Sequence, residues 1–410
     1  PGTLEALQKK LITEANIDQD LRGVFRVMIK LGQLDPPQMV PYSSIGTGPE
    51  PWLSQKNRDF VRLITQKSIV LLKNEGGLLP LDKTKLKSIA VVGPRSAEVL
   101  QDWYSGTSPY TVSPVEGIKN KVGNTVTVSH TTNANLAISM AKSAETVIVC
   151  VGNNPTGNLG WKKVDGPSEG REAVDRESIS LDTAQETLIK NLYKVNPHIV
   201  VVLISSFPYA INWEQANIPG IVHITHNSQE EGNALADVLF GDVNPGGKLV
   251  QTWPDSLSQL PPMMDYNIRH GRTYMYFKGK PLYPFGFGLS YTTFQYSNLK
   301  TSTNKLDKNG EVTVSVDIKN TGSRAGDEVI QLYVKHQGSK VERPEKELKG
   351  FKRVTLNAGE VQTVNLKLSA SALAYWNAAK KGFVVEKEPV KLMVGSSSAD
   401  IRLQKIINLK

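Results

Sequence analysis

Apolar positions along this chain change their spacing several times, and each change marks a new kind of element. Residues 3 to 34 read as two short helices, the second carrying Leu21, Val24, Phe25, Met28 and Leu31 on one stripe. Gly32 and then Asp35-Pro36-Pro37 close it. Two amphipathic helices of this size do not bury such a stripe against each other alone, so they need a body to pack on, and none is found upstream. Residues 38 to 53 are rich in Pro, Gly and Ser and read as a linker across a domain surface. A further helix is expected with Phe60, Leu63, Ile64, Leu71 and Leu72 on one face, ending in Asn74-Glu75-Gly76-Gly77.

Five apolar runs then read as strands: Ser88 to Val92, Val126 to Ser129, Thr146 to Val151, Ile199 to Ile204 and Ile221 to Thr225. Helical spacing lies between them, at Ala134 to Ser143, Asp182 to Val195 and Gln229 to Phe240. This alternation argues for a mainly parallel sheet covered on both faces, an α/β sandwich. Residues 241 to 254 and 281 to 294, rich in Gly, Pro and aromatics, read as ordered surface connections. From Asn298 the period becomes two, as in Val312-Thr-Val-Ser-Val-Asp-Ile318 and Val361-Gln-Thr-Val-Asn-Leu-Lys-Leu368. About seven such strands, with turns at Asn320-Thr-Gly322 and Ala358-Gly359, fit a β-sandwich of roughly 100 residues. The expected division is 1–37, a helical pair; 38–75, linker and helix; 76–265, the α/β domain; 266–297, a connecting segment; and 298–410, the all-β domain.

One connection stands out by length. Between the strand ending at Val151 and the helix from Asp182, residues 152 to 179 form a loop far longer than the usual two to six residues. It leaves the carboxyl end of a strand, where open α/β sheets place their ligands. It holds Trp161, Glu169, Glu172 and the pair Asp175-Arg176, which favours a functional loop.

Composition narrows the picture. The 410 residues have room for two or three domains, and 39% hydrophobic with 21% charged residues is ordinary for a globular chain. No apolar stretch approaches the roughly 18 to 20 residues that span a bilayer, so a membrane-spanning reading is excluded. The single cysteine, Cys150, gives neither a disulfide framework nor a thiolate metal site. His223 and His226 sit three apart on an expected strand and so face opposite sides, which argues against shared metal ligation. Of the net charge of +9, residues 300–410 hold 20 Lys+Arg against 12 Asp+Glu, a difference of +8. These charges are dispersed through alternating strands and read as solvated faces rather than a nucleic-acid surface. The chain opens on Pro1-Gly2-Thr3 with no signal peptide in view, so residue 1 is not expected to be the native start.

Several stretches, in order along nearly the whole chain, resemble the family 3 glycoside hydrolases, which include β-glucosidases and β-xylosidases. They are Asn16-Ile-Asp18 to Leu31-Gly32, Ser68-Ile-Val-Leu-Leu-Lys-Asn74 with Leu79-Pro80-Leu81, and Gly241-Asp-Val-Asn-Pro-Gly-Gly-Lys-Leu249. Tyr283-Pro-Phe-Gly-Phe-Gly-Leu-Ser-Tyr291, Gln331-Leu-Tyr333, Arg343-Pro344 and Glu347-Leu-Lys-Gly-Phe351 continue the series. The resemblance implies a (β/α)8-type barrel, then an α/β sandwich domain, then a fibronectin III-like domain. Residues 1–37 would then be the terminal helices of a barrel whose remainder, with the nucleophilic aspartate, has no match in this sequence. The implied setting is the periplasm or secretion, and the implied partners are a β-linked oligosaccharide or glycoside and the barrel-containing part. A homo-oligomer is compatible with the sequence.

In many members of that family the proton donor is a glutamate on a sandwich-domain loop, in a pattern like Glu-Gly-x-Asp-Arg. Two registers fit. Glu172-Ala-Val-Asp175-Arg176 matches without a gap except that Ala173 replaces Gly, whereas Glu169-Gly170 keeps the Glu-Gly pair but needs three extra residues before Asp175. Asp175 and Arg176 are expected as an ion pair pinning the loop. Trp161 reads as a wall for a sugar ring or as a domain-interface anchor. His270-Gly-Arg-Thr-Tyr274 resembles the Pro-Gly-Arg-Thr-Tyr stretch of family xylosidases. Retaining hydrolysis requires no metal or cofactor. Two other readings compete. One is a non-catalytic carbohydrate-binding or scaffold chain without a barrel, which the stranded apolar stripe opposes. The other is a nucleotide-binding protein, but Val92-Gly-Pro-Arg95 lacks the glycine spacing for a pyrophosphate.

Overall fold

The computed structural model describes residues 2–46, 48, 50–102, 104–156, 170–171 and 174–410. The chain divides into two units, 1–58 and 59–410. In the first, α1 (Gly2–Gln8) precedes α2 (Glu14–Lys30). A capping box starts α2: the Asn16 amide donates to Thr13 Oγ1 at 3.3 Å and the Thr13 amide to Asn16 Oδ1 at 2.9 Å. No residue of α2 is buried, and Leu21, Val24, Phe25 and Leu31 are all exposed.

The second unit begins within α3 (Gln55–Ser68) and corrects one expectation. The helix that was to carry Leu71 and Leu72 ends at Ser68, and Val70–Asn74 form a strand, β1. Ile69, Val70, Leu71 and Leu72 are all buried, and they alternate between two separate cores, Ile69 and Leu71 in one, Val70 and Leu72 in the other. A helix at this position would bury a single stripe; a strand covered on both faces buries every residue.

After β1 come β2 (Ser88–Val92), α4 (Pro114–Val122), β3 (Thr127–Thr131), α5 (Ala134–Ser143) and β4 (Thr146–Gly152). Then follow α6 (Thr183–Val195), β5 (Ile199–Ile204), α7 (Asn212–Asn217), β6 (Gly220–Ile224) and α8 (Glu231–Leu239). The six strands lie in the order β1-β6-β5-β4-β2-β3, with β1 antiparallel to β6 and the remaining pairs parallel. On one face Ala137, Ala141, Leu188, Ile189 and Leu192 of α5 and α6 pack on the sheet; on the other, Ile118, Leu235, Val238 and Leu239 of α4 and α8. This is the expected α/β sandwich. The chain runs from β2 outward to β3 and then returns past β2 to β4, so strand order reverses between β2 and β4. Such a reversal is the place where open α/β sheets tend to site ligands, at the carboxyl ends of the strands.

A short helix, α9 (Thr273–Tyr276), precedes the all-β region. It contains β7 (Phe294–Thr301), β8 (Lys305–Leu306), β9 (Glu311–Asn320), β10 (Gly326–His336), β11 (Glu347–Leu356) and β12 (Val361–Ser369). The remaining strands are β13 (Tyr375–Asn377), β14 (Gly382–Val384), β15 (Pro389–Gly395) and β16 (Ile401–Leu409). Sheets β11-β10-β15-β16-β8 and β12-β9-β7 face each other as a β-sandwich. Val312, Val314, Val316 and Ile318 of β9 point into its core, as the period of two requires. β10 breaks that alternation because both of its faces are covered. Gln331 Nε2 donates to Gly286 O at 3.1 Å, and Tyr333 meets the Tyr274 ring edge-on at 5.9 Å.

Candidate functional site

All seven residues of β4 are buried, and the strand ends on Gly152, whose φ of +135° suits glycine. A Cβ there would stand 1.7 Å from Ile204 O, so the exits of β4 and β5 approach more closely than any side chain allows. Gln185 of α6 holds both backbone groups of Gly152, accepting from its amide at 2.7 Å and donating to its carbonyl at 3.0 Å. Arg95, just beyond β2, donates from Nε to the same carbonyl at 3.3 Å and pairs with Glu98 at 2.6 Å. The strand-order reversal is thus closed by a guanidinium and a glutamine amide.

Asn153, at 0% exposure, joins the three neighbouring strand exits to the far end of the long loop. Its Oδ1 accepts from the Ser206 amide beyond β5 at 2.9 Å and lies 3.5 Å from His226 Nε2 beyond β6. Its Nδ2 donates to Gly170 O at 3.3 Å. Burial, together with Arg95 and His223, pushes the His226 pKa down to about 4, so its imidazole is neutral near pH 7.

The returning limb is fixed in turn. Gly170 has φ +85°, and a Cβ there would meet Arg176 Cγ at 2.3 Å. Buried Arg171 exchanges both backbone hydrogen bonds with Val174, at 3.1 and 3.0 Å. Arg176 lies over the rings of Phe207 and Tyr209, 4.6 and 4.8 Å from their centroids, and donates from Nη2 to Pro208 O at 3.0 Å. Burial lowers its pKa, and contact with Tyr209 opposes that. The expected Asp175–Arg176 ion pair is not formed, because Asp175 is exposed while Arg176 inserts among aromatics. An exposed pair contributes little, whereas a guanidinium over two rings gains cation–π attraction out of water. Of that pair, Arg176 is the residue that pins the limb, together with Asn153 on Gly170 O. Trp161, Glu169 and Glu172 lie outside the described residues.

Sequence reasoning gave no framing role to Arg95, Asn153, Gln185 or His226, and the first and last entered it only as arguments against a nucleotide and a metal site. Their signal was slight, an amide immediately after a strand-ending glycine and a glutamine in the first turn of the next helix. Among the described residues no group of three or more His, Cys, Asp or Glu could hold a metal ion.

Glu231 opens α8, is 0% exposed, and neither carboxylate oxygen has a hydrogen-bond partner among the described residues. Burial first, and the Glu98 carboxylate second, push its pKa up from 4.5 to about 8. A carboxyl raised in the folded state costs nothing below its unfolded pKa, costs progressively more as pH rises between the two values, and costs most above the folded one. Glu214, raised by burial to about 7, acts in the same sense. Glu231→Gln is therefore expected to remove much of the fall in stability between about pH 5 and about pH 8, a change of order a few kcal/mol. Urea midpoints at the two pH values measure it; an undiminished gap in the variant would show that Glu231 is not the titrating group.

Residues 69–291 match the glycosyl hydrolase family 3 C-terminal domain, and residues 328–398 match a fibronectin type III-like domain. The chain belongs to glycosyl hydrolase family 3. A β-xylosidase of Formosa agariphila is 38% identical over 93% of this chain and 54% of its own length. A periplasmic β-glucosidase of Salmonella typhimurium is 32% identical over 95% of this chain and 55% of its own. The crystal structure of a β-D-glucoside glucohydrolase from Trichoderma reesei superposes with a TM-score of 0.85 at 27% identity, covering 100% of this chain and 63% of that one. This family 3 chain spans about half the length of the curated relatives it matches. No helix among its described residues is long and apolar enough to cross a membrane.

Proposed function

We propose that this chain is the acid/base part of an exo-acting retaining β-glycosidase that releases terminal β-D-glucosyl or β-D-xylosyl residues. The observation that carries this reading is the frame around the loop between β4 and α6. Asn153, Gln185 and Arg176 hold both of its limbs against the carboxyl ends of the sheet, and its sequence includes Glu169 and Glu172. A proton donor has to be presented repeatedly at one place, and a loop anchored at both ends does that.

In the proposed reaction one carboxyl of this loop, Glu172 or in the alternative register Glu169, protonates the leaving oxygen. A carboxylate about 5 to 5.5 Å away attacks the anomeric carbon and forms a glycosyl-enzyme; the loop residue, now ionised, then takes a proton from the water that hydrolyses it. The attacking carboxylate belongs to the barrel-containing part, for which the exposed stripe on α2 speaks, Val24 and Phe25 being 55% and 47% exposed. Trp161 is proposed to wall a sugar ring, and the setting to be the periplasm or outside the cell.

The chain alone is expected to release no nitrophenol from 4-nitrophenyl β-D-xyloside or β-D-glucoside above the buffer rate. The same assay with the barrel-containing part present is expected to show turnover. Turnover by the chain alone would mean that it carries its own nucleophile and would overturn the division of labour.

A further inference from the structure

Beside the anchored loop lies a groove of about 540 Å³ that runs from the exits of β5 and β6 to the outer face of β10 and β11. Its volume falls within the range of about 300 to 1,000 Å³ found for small-molecule sites. Phe207, which carries Arg176 of the loop, forms one wall; Phe285 and Phe351 form the others. Phe351 is 68% exposed although it sits in the middle of a strand, and so presents an open aromatic face among the described residues.

The polar groups of the groove fall into two classes. Its cations are committed: Lys67 and Arg353 both bind Asp327, at 2.8 and 3.0 Å, and Lys248 donates to Gly288 O at 2.8 Å beside Glu328. Of the neutral groups, Ser68, Ser205 and Gln331 are engaged as well, donating to Thr65 O, Phe207 O and Gly286 O, and the others are open. The side chains of Ser206, Thr225 and Gln251 make no hydrogen bond among the described residues, and His223 uses only Nδ1, on Leu203 O at 3.1 Å. Burial pushes the His223 pKa down to about 4, so its imidazole is neutral and Nε2 is an acceptor. A groove with open aromatic faces, free hydroxyl, amide and imidazole groups, and no spare charge matches a neutral polyhydroxylated ring. The C–H faces of such a ring lie on aromatics while its hydroxyls take the hydrogen bonds.

We infer that this groove binds the leaving-group side of the substrate, the β-linked neutral sugars beyond the bond that is cut. The inference rests on the acid/base reading. The proton is delivered to the leaving oxygen, so the departing sugars lie on the donor's side, and the groove shares Phe207 with the donor's loop. The fibronectin III-like domain thereby contributes to substrate length preference through Phe351.

Calorimetric titration of this chain with xylobiose and cellobiose tests it. At least one disaccharide is expected to bind with Kd about 1 to 10 mM, and Phe351→Ala and Gln251→Ala each to weaken binding about fivefold or more. Trp376→Ala, an exposed aromatic of β13 outside the groove, serves as the control and is expected to change nothing. No binding of either sugar at about 50 mM, or a Kd indifferent to Phe351→Ala, overturns the inference. So does a groove that proves to seat the barrel-containing part, seen as complex formation abolished by Phe351→Ala without any sugar binding. A groove blind to sugar, while Glu172→Gln is slow on poor leaving groups and rescued by azide on activated ones, would sink this inference alone. Sugar binding alongside fully active Glu172→Gln and Glu169→Gln enzymes would sink the acid/base reading, and with it the leaving-group assignment.

Discussion

In the complete enzyme, Glu172→Gln is expected to slow hydrolysis of oligosaccharides and alkyl glycosides by about 10² to 10⁴, the usual worth of a positioned proton donor. Glycosides with activated aryl leaving groups need little protonation, so their first step should be nearly spared. Their turnover should then be limited by the second step, where the same residue acts as base. Exogenous azide, a nucleophile that needs no base, should partly restore the aryl-glycoside rate and leave the poor substrates slow. Steady-state rates on a series of leaving groups of graded acidity measure this as a steepened dependence on leaving-group pKa. Glu169→Gln is expected to lack that signature. If the two variants exchange behaviour, the donor is Glu169 and the three residues before Asp175 are an insertion; the mechanism is unchanged. If neither shows it, no carboxyl of this loop is the donor.

The second large effect is structural. Gly152→Ala is expected to destabilise the second unit by about 3 kcal/mol or more. The new methyl would lie 1.7 Å from Ile204 O at a backbone φ of +135°, and Gly152 and Ile204 are register partners across β4 and β5. Relief requires the two strand exits to part, which breaks the Gln185 clamp on Gly152 and displaces Asn153 from Ser206 and Gly170. Chemical denaturation reads the loss as a lowered midpoint. Stability within about 0.5 kcal/mol of the parent would mean that the close approach at this exit is not required.

Much of this architecture can be read directly from side-chain periodicity. Val147 to Val151 and Ile199 to Ile204 are continuous apolar runs because both faces of their strands are covered. Val312 to Ile318 alternate because one face of β9 meets the core of a sandwich. The helix α6 starts where Asp182 caps it, its carboxylate accepting from the Ala184 and Gln185 amides at 2.9 and 3.0 Å. The failure at β1 has a local cause: Leu71 and Leu72 continue the apolar stripe of α3 at helical spacing, and nothing nearby in sequence reveals that β6 offers them an edge. The frame of the candidate site was hidden for the opposite reason. Asn153 reaches Ser206 and His226, 53 and 73 residues away in sequence, and such contacts leave no periodic trace. Asp175 and Arg176 misled because adjacency in sequence resembles an ion pair, whereas the guanidinium finds two rings beyond β5. Glu231 was equally invisible, since a glutamate in a first helical turn usually faces water.

The most direct test is the identity of the product formed by the complete enzyme carrying Glu172→Gln when it turns over an activated aryl β-glycoside in azide. A glycosyl azide of retained β configuration is the expected product, because azide, no longer repelled by a carboxylate at this position, reaches the β face and attacks the glycosyl-enzyme. Free sugar as the sole product at an undiminished rate, or an azide of inverted configuration, would contradict a donor at this position on the β4 exit loop.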